Sequence, residues 1–483
     1  NKMAVLTNTM MQGTAAISDD AYQIEKSIRF NEDNTPYFSK TFSLGNRRTH
    51  TIAMWIKIGK ASNEGYLFSA PSTSRIKLET DGTIKWEIGS SQRRISNQIF
   101  RDPGAWQHHV FALDTPNADA ASRARWYVNG KEITNPSFNF ATADTITQNF
   151  ESNFNSAGAH RIGANASNAN NWDGYIADVQ FIDGLALSPA AFGSFDSTGT
   201  FNPAEFSLPA PNDGTTWSSS GTVSGNATED AKKFANLFDG ALDTWAEQSG
   251  NDVTLTWTPG TPIPVKSNMR IYFAVGGDPE DTVINEKIMV NPAAGWVDVD
   301  IAGETTFSKL EMKRGGSGVY ARASAIEIDG KILVDGQTDP TTRNNPNNGT
   351  TWSTGNTFPS NPTNAFNGNT GDYAQLNNSD GTKVVTTQSF TVKESLRVKI
   401  GSDPGYTWTW TINGTAYAIS TAAGAGWYDI PVPDNTTVTS FTAAFGDSSG
   451  DYLYAVEVDG HILIDSSVDN SFHLKFNNAS DLG

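Results

Sequence analysis

"AIEIDGKILVD", residues Ala325–Asp335, returns almost unchanged as "AVEVDGHILID", residues Ala455–Asp465. Apolar residues recur at every second position, the period of a β-strand, so Ile326 and Ile328 share one face and Glu327 takes the other. Asp329-Gly330 supplies the residue types a two-residue hairpin turn requires, and the chain returns through Ile332 and Val334. Two carboxylates this close together, Glu327 and Asp329, are also what acid/base chemistry uses. The alternation predicts the plainer role in both copies, with one carboxylate on the solvent side of a strand and the other in its turn.

The pair belongs to a longer duplication. "PNDGTTWS" (Pro211–Ser218) answers to "PNNGTTWS" (Pro346–Ser353), "NLFDGALDTWAE" (Asn236–Glu247) to "NAFNGNTGDYAQ" (Asn364–Gln375), and Asp278-Pro279 to Asp403-Pro404. "AAGWVDVDI" from Ala293 and "AGWYDIPV" from Ala425 complete the series. The spacing between copies is that of tandem globular domains and too long for a solenoid repeat. Each copy follows a Pro/Asn/Gly-rich stretch, Ser207–Ser218 and Thr338–Ser353, that reads as a linker. Within each copy, alternating runs such as "SNMRIYFAV", "ESLRVKI" and "VTLTW" predict half-buried antiparallel strands. The helical candidate is "DAKKFANLFDG", with Ala231, Phe234, Leu237 and Phe238 on one face and a stop at Asp239-Gly240.

Composition agrees. Of 483 residues only 18% are charged, and the formal charge of −18 is spread along the chain, which disfavours a nucleic-acid partner. There is no cysteine, so disulfides, thiol nucleophiles and Cys-ligated zinc are excluded. No apolar stretch approaches the roughly 18 residues of a membrane span, so no membrane insertion is expected, and the first residues lack a signal peptide's apolar block. The expected layout is an N-terminal arm over 1–20 that belongs to no sandwich, a first domain over 21–206, repeats over 212–337 and 346–467, and a C-terminal strand and tail over 468–483.

The first domain carries strand-like segments of another pattern, among them "HTIAMWIKI", "GAWQHHVFALD", "RARWYVNGKEI" and "WDGYIADVQFIDGLALS". The order of Trp106/His108/His109, the Trp126–Gly130 hairpin, Arg161-Ile-Gly163 and the closing strand Gly174–Val179 resembles the laminin-G-like, concanavalin A-like lectin family. The resemblance implies an all-β fold, a jelly-roll sandwich followed by two tandem β-sandwich domains. The repeats are similar to galactose-binding-like jelly rolls of the discoidin type, where Asn-x-Phe-Asp-Gly-x-x-x-Thr-x-Trp often holds a structural Ca²⁺. The first copy keeps that motif as Asn236, Phe238, Asp239, Gly240, Thr244 and Trp245, so the resemblance implies calcium near Asp239 and Asp243. The second copy has Asn367 and Tyr373 in place of Asp239 and Trp245, and losing a carboxylate weakens the case for a hard cation there. The wording at the start, at "YIADVQFIDGLALSPAAFGSFD" and at "NSFHLKFNNASDLG" resembles marine bacteriophage tail-fibre or virion-appendage proteins.

Candidate sites are few. His108 and His109, neighbours on a strand, point to opposite faces and share no metal. No acyl-, phosphoryl- or dinucleotide-transfer motif occurs. Glucanases of the concanavalin-like fold use Glu-x-Asp-x-x-Glu, and the third acid is replaced by Ile332 and Ile462; a retaining glycosidase needs two carboxyls about 5–5.5 Å apart across a sugar. Trp172-Asp173 and the Asp239/Asp243/Trp245 loop, with Tyr373 in the second copy, combine rings with polar groups and are the expected carbohydrate sites. The expectation is a non-enzymatic phage structural protein that needs no cofactor, assembled in the host cytoplasm and exposed on the virion surface. Its expected partners are other virion proteins, host-surface glycans and its own copies in a trimer. A spacer without sugar binding is the alternative, and a glycan-degrading enzyme the third reading.

Overall fold

The computed structural model describes residues 5–7, 22–133, 140–225, 233–247, 254–274, 279–289, 292–300, 305–314, 321–339, 344–376, 381–401, 407–420, 424–445, 451–467 and 469–476. The described residues are all-β, broken only by short 3-10 turns. The expected helix is one of these, Phe234–Phe238, with Phe234, Leu237 and Phe238 buried. Ala231 lies outside the described residues.

The first unit is a two-sheet sandwich. One sheet holds Lys26–Phe30, Gly174–Asp183, Thr49–Ile58, Gln107–Asp114 and Ala124–Val128 side by side. The other runs Phe140–Ala143, Arg93–Ser96, Ile84–Glu87, Arg75–Leu78, Gly65–Ser69, Gly158–Ile162, Phe38–Phe42. Between them Ile52, Met54, Leu67, Trp86, Phe111, Trp126 and Trp172 form a closed core. The hairpin turn expected at the end of Trp126–Gly130 is present, with Asn129 and Gly130 at φ 49° and 79°.

A segment near each terminus pairs with this unit. Val5–Thr7 pairs with Lys26–Ile28, so the N-terminal arm, expected to belong to no sandwich, contributes an edge strand. Phe472–Leu474 pairs with Val179–Phe181, and Phe476 is buried in the first unit's core. The strand Gly174–Asp183 accommodates both neighbours because it breaks at Asp178, which sits at φ 49°. The Asp178 carboxylate takes His473 Nε2 at 2.5 Å and the Tyr22 hydroxyl at 3.1 Å.

The second and third units repeat one plan. In the second, the sheet order is Ala246–Glu247, Arg322–Ile328, Met269–Phe273, Gly295–Asp298; in the third it is Ala374–Leu376, Asp451–Val458, Leu396–Gly401, Gly426–Ile430. The ends of the stretches read as linkers, residues 212–218 and 347–353, are built parts of these units. Asn212 accepts the Trp217 indole N–H and the Val334 N–H and donates to Ile332 O; Asn347 does the same with Trp352, Ile464 and Ile462. Asp335 and Asp465 cap Ser218 and Ser353 alike. A side-chain amide that closes three backbone or indole partners at once is the reason "PN(D/N)GTTWS" recurs: a buried polar group costs stability unless it is bonded.

Candidate functional site

The strand Arg322–Ile328 lies beside Met269–Phe273, with Glu327 opposite Arg270. The alternation holds, and Ile326 and Ile328 are buried. Glu327 and Asp329, however, do not face solvent: they are 4% and 5% exposed. The face expected to meet water meets the first unit. Glu327 accepts from Arg270 Nε at 2.7 Å, Arg270 Nη2 at 2.7 Å and, across the junction, Arg125 Nη1 at 3.0 Å. Burial alone would push its carboxyl up, but the two guanidiniums win and hold it down at about 2. Arg125 is also gripped by Glu132 at 2.6 Å, and Arg270 lies over the Trp296 ring at 4.3 Å. Asp329 is spent on the backbone N–H groups of Lys266, Ser267 and Asn268, and Ser188 Oγ of the first unit donates to its carbonyl at 2.6 Å.

The third unit does the same with other partners. Glu457 accepts from Arg48 of the first unit at 2.5 Å and from Arg397 at 3.1 Å, and both cations lie over Trp427. Asp459 takes the backbone N–H groups of Lys393, Glu394 and Ser395. Its turn packs so closely on Gly184 that a Cβ there would lie 2.0 Å from the His461 ring, at a φ of +79° that favours glycine in any case. In neither unit are these carboxylates placed around a reacting bond. They are clasps. Sequence reasoning missed all four arginines, although Arg270 and Arg397 recur at the same place in "MRIYF" and "LRVKI".

The other expected sites fare as follows. Trp172 is fully buried in the first unit's core and offers no platform. Asp173 pairs with Arg29 at 2.9 Å. Trp245 is half-buried, donates to Glu247 at 3.3 Å and has Arg322 over its ring at 5.1 Å. Asp239 is engaged by the Ala241 N–H and the Thr244 hydroxyl, while Asp243 is exposed. A calcium site gathers six to eight oxygens. Among the described residues no group of three or more His, Asp or Glu side chains converges to hold a metal. His108 and His109 do point to opposite faces: His108 stacks on Phe201 at 5.3 Å, and His109 accepts from Trp126 Nε1 at 3.2 Å inside the core. Burial pushes them down to about 4 and about 3. Tyr373 stands in a cluster, with ring centroids 4.1 Å from Tyr452 and 5.6 Å from Tyr454.

One surface was not anticipated. Across six adjacent strands of the first unit's second sheet, Ser39, Arg161, Ser69, Arg75, Glu87 and Arg93 stand opposite one another in register. Beside this polar row Tyr66 lies opposite Lys77, and Arg161 sits over the exposed ring of Tyr37 at 5.9 Å. Arg75 pairs with Glu87, Arg93 with Asp144 at 3.3 Å, and Arg161 Nε is buried with no hydrogen-bond partner among the described residues. The clasps engage the opposite sheet and its loops. "HRIG" and "SRIKLE" supply Arg161 and Arg75 of this row, but only strand pairing brings them together with the other four residues.

Residues 31–191 match the family model described as the concanavalin A-like lectin/glucanases superfamily. The first unit is a concanavalin A-like lectin domain. No curated relative matches the chain. Among solved structures the chain is similar to domain 4 of AbnA, a GH43 extracellular arabinanase from Geobacillus stearothermophilus, at 18% identity over 39% of this chain and 79% of that one, with a TM-score of 0.22. It is similar to mouse laminin α1 domains LG4-5 at 12% identity over 64% and 80%, TM-score 0.24. Paenibacillus xanthan lyase matches at 11% identity over 81% of this chain and 38% of that one, TM-score 0.16.

Proposed function

We propose that the chain is a non-enzymatic glycan-binding structural protein, a phage virion appendage whose lectin domain adheres to host-surface carbohydrate. The observation that carries the binding reading is the more open part of that row, Ser39, Arg161, Arg75 and Arg93, beside the exposed ring of Tyr37 on the sheet away from the clasps. Guanidinium and hydroxyl groups beside an aromatic ring are what sugar hydroxyls and sugar C–H faces require. The non-enzymatic part is supported by the engagement of Glu327, Asp329, Glu457 and Asp459 in structural bonds. The virion setting, the neighbouring virion proteins and a trimer rest on the resemblance of the chain's wording to phage appendages. Modest sites multiplied in a trimer would gain avidity without any strong single site.

A specific observation favours the second reading, a stiff spacer: buried ion pairs clasp both repeats to the lectin domain. A glycan array probed with the full chain, with and without chelator, separates the two. Adhesion predicts binding that Tyr37→Ala and Arg161→Ala weaken and that host cells reproduce. No binding to any glycan or cell would leave the spacer, and release of reducing sugar from host polysaccharide would overturn the non-enzymatic reading.

A further inference from the structure

The tyrosine cluster of the third unit is built by a bulge. In the pairing of Asp451–Val458 with Leu396–Gly401, Ala455 lies opposite Lys399 and Leu453 opposite Ile400, so Tyr454 is the extra residue. Leu453 and Val456 fill the core, and the bulge brings Tyr454 beside Tyr452 on the face that also carries Glu457. Tyr373 closes the group from the neighbouring segment, with Tyr452 and Tyr454 centroids 6.4 Å apart. All three rings are half-buried, and no hydrogen bond from their hydroxyls to a described residue is present. The wall beside them is polar and comes from two units. Lys399 lies 5.5 Å from the Tyr454 centroid and donates to Thr370 O at 2.8 Å; Thr370 Oγ1 donates to Glu151 of the lectin domain at 2.7 Å. Arg47 holds the other Glu151 oxygen at 3.1 Å.

The matching place in the second unit is closed. There Trp245 stands for Tyr373 and Arg322 for Tyr452, as the pairings Glu247↔Arg322 and Gln375↔Tyr452 show. Arg322 covers the Trp245 ring and pairs with Glu247 at 2.7 Å, so rings and polar groups satisfy one another. In the third unit the covering cation is replaced by a phenol. Lys399 approaches the Tyr454 ring, no described cation lies over Tyr373 or Tyr452, and the three hydroxyls bond to no described residue.

We propose that Tyr373, Tyr452 and Tyr454 form a second carbohydrate site, at the junction of the third unit with the lectin domain, that takes a neutral pyranose. The rings meet the apolar face of the sugar and the phenols meet its hydroxyls, while Glu151 is held by Arg47 and Lys399 is the one described cation beside the rings, so the described rim offers no paired cations to clamp an ionised sugar. The choice of ligand rests on the reading of the chain as glycan-binding; the site itself rests on the cluster.

The test uses the full chain with methyl β-galactoside, methyl α-glucoside and N-acetylglucosamine oligomers, read by calorimetry and by NMR of the tyrosine rings. The variants are Y373F/Y452F/Y454F, which keeps the rings and removes the hydroxyls, and Tyr37→Ala on the lectin sheet. The expected result is a probe that perturbs tyrosine signals and loses at least tenfold in affinity in the triple variant, while Tyr37→Ala leaves that loss unchanged. Unaltered affinity in the triple variant, or no tyrosine perturbation by any probe, overturns the site. Binding abolished by Tyr37→Ala and kept by the triple variant overturns it while sustaining the lectin-sheet reading. A retained melting transition in the triple variant shows that the readout reports binding and not unfolding.

Discussion

The second and third units grip the lectin domain with the same half-clasp and meet different hands. On the repeat side the parts correspond, Glu327 with Arg270 over Trp296 and Glu457 with Arg397 over Trp427, although Arg397 also pairs with Asp429 at 3.1 Å. On the lectin side Arg125 comes from the strand Ala124–Val128 near one edge of its sheet and keeps a second carboxylate, Glu132, whereas Arg48 comes from the loop before Thr49–Ile58 and is fully buried. A duplicated module carries its own docking chemistry with it, and any surface that offers one guanidinium at the right place can receive it. The difference lies in the reserve each junction holds when a partner is lost.

That difference can be broken by substitution. Removing one partner of a buried pair strands the other charge, at a cost of about 3–5 kcal/mol. Glu457→Ala is expected at the upper end, because Arg48 is left 1% exposed with its Nε already unpartnered. Glu327→Ala is expected at the lower end, because Arg125 retains Glu132. Urea unfolding, with limited proteolysis to show which unit comes away, checks the order. Equal losses would mean that the lectin-side partners do not matter.

The pH response sharpens the comparison. Glu327 sits at about 2 against an ordinary 4.5, so its contribution is complete above about 4.5 and is lost as pH falls toward 2. That shift corresponds to about 3 kcal/mol, and Glu327→Gln should remove that part of the acid response. At the junction of the lectin domain with the tail, Asp183 behaves oppositely. Burial pushes it up to about 6, against bonds from Asn46, Asn155 and Asn470, so stability falls as pH rises from about 3.8 to about 6. Asp183→Asn should flatten that slope. Urea midpoints measured from pH 7 to 2 check both signs, with the buried histidines common to parent and variants. The smallest effect is expected where the repeats meet each other: Lys331–Glu394, 3.1 Å apart and each 30% exposed, is a surface pair, and Lys331→Ala should cost about 0–1 kcal/mol.

Much of this was legible before any coordinates. "AIEIDGKILVD" and its copy predicted strand, turn and return, and the structure has all three, with Asp329-Gly330 and Asp459-Gly460 at positive φ. The histidine pair on opposite faces followed from the same period. Trp172 was misjudged because a ring beside an Asp-Gly turn looks the same in sequence whether it fills a core or lines a site. Tyr373 was legible only as a departure from Trp245; Tyr452 and Tyr454 joined it through a bulge that no local pattern announced.

By itself, then, the sequence determined what repeats along the chain at short range: which residues share a strand face, where turns need Asp-Gly or Asn-Gly, and which segments are copies of one another. These follow from backbone geometry and steric preference within a few residues. Only the tertiary structure decided what covers each face. Glu327 meets a guanidinium 202 positions away and Glu457 one 409 positions away. Alternation says that a carboxylate points outward; whether outward means water or another unit depends on how whole sheets pack, which a strand's own residues do not encode.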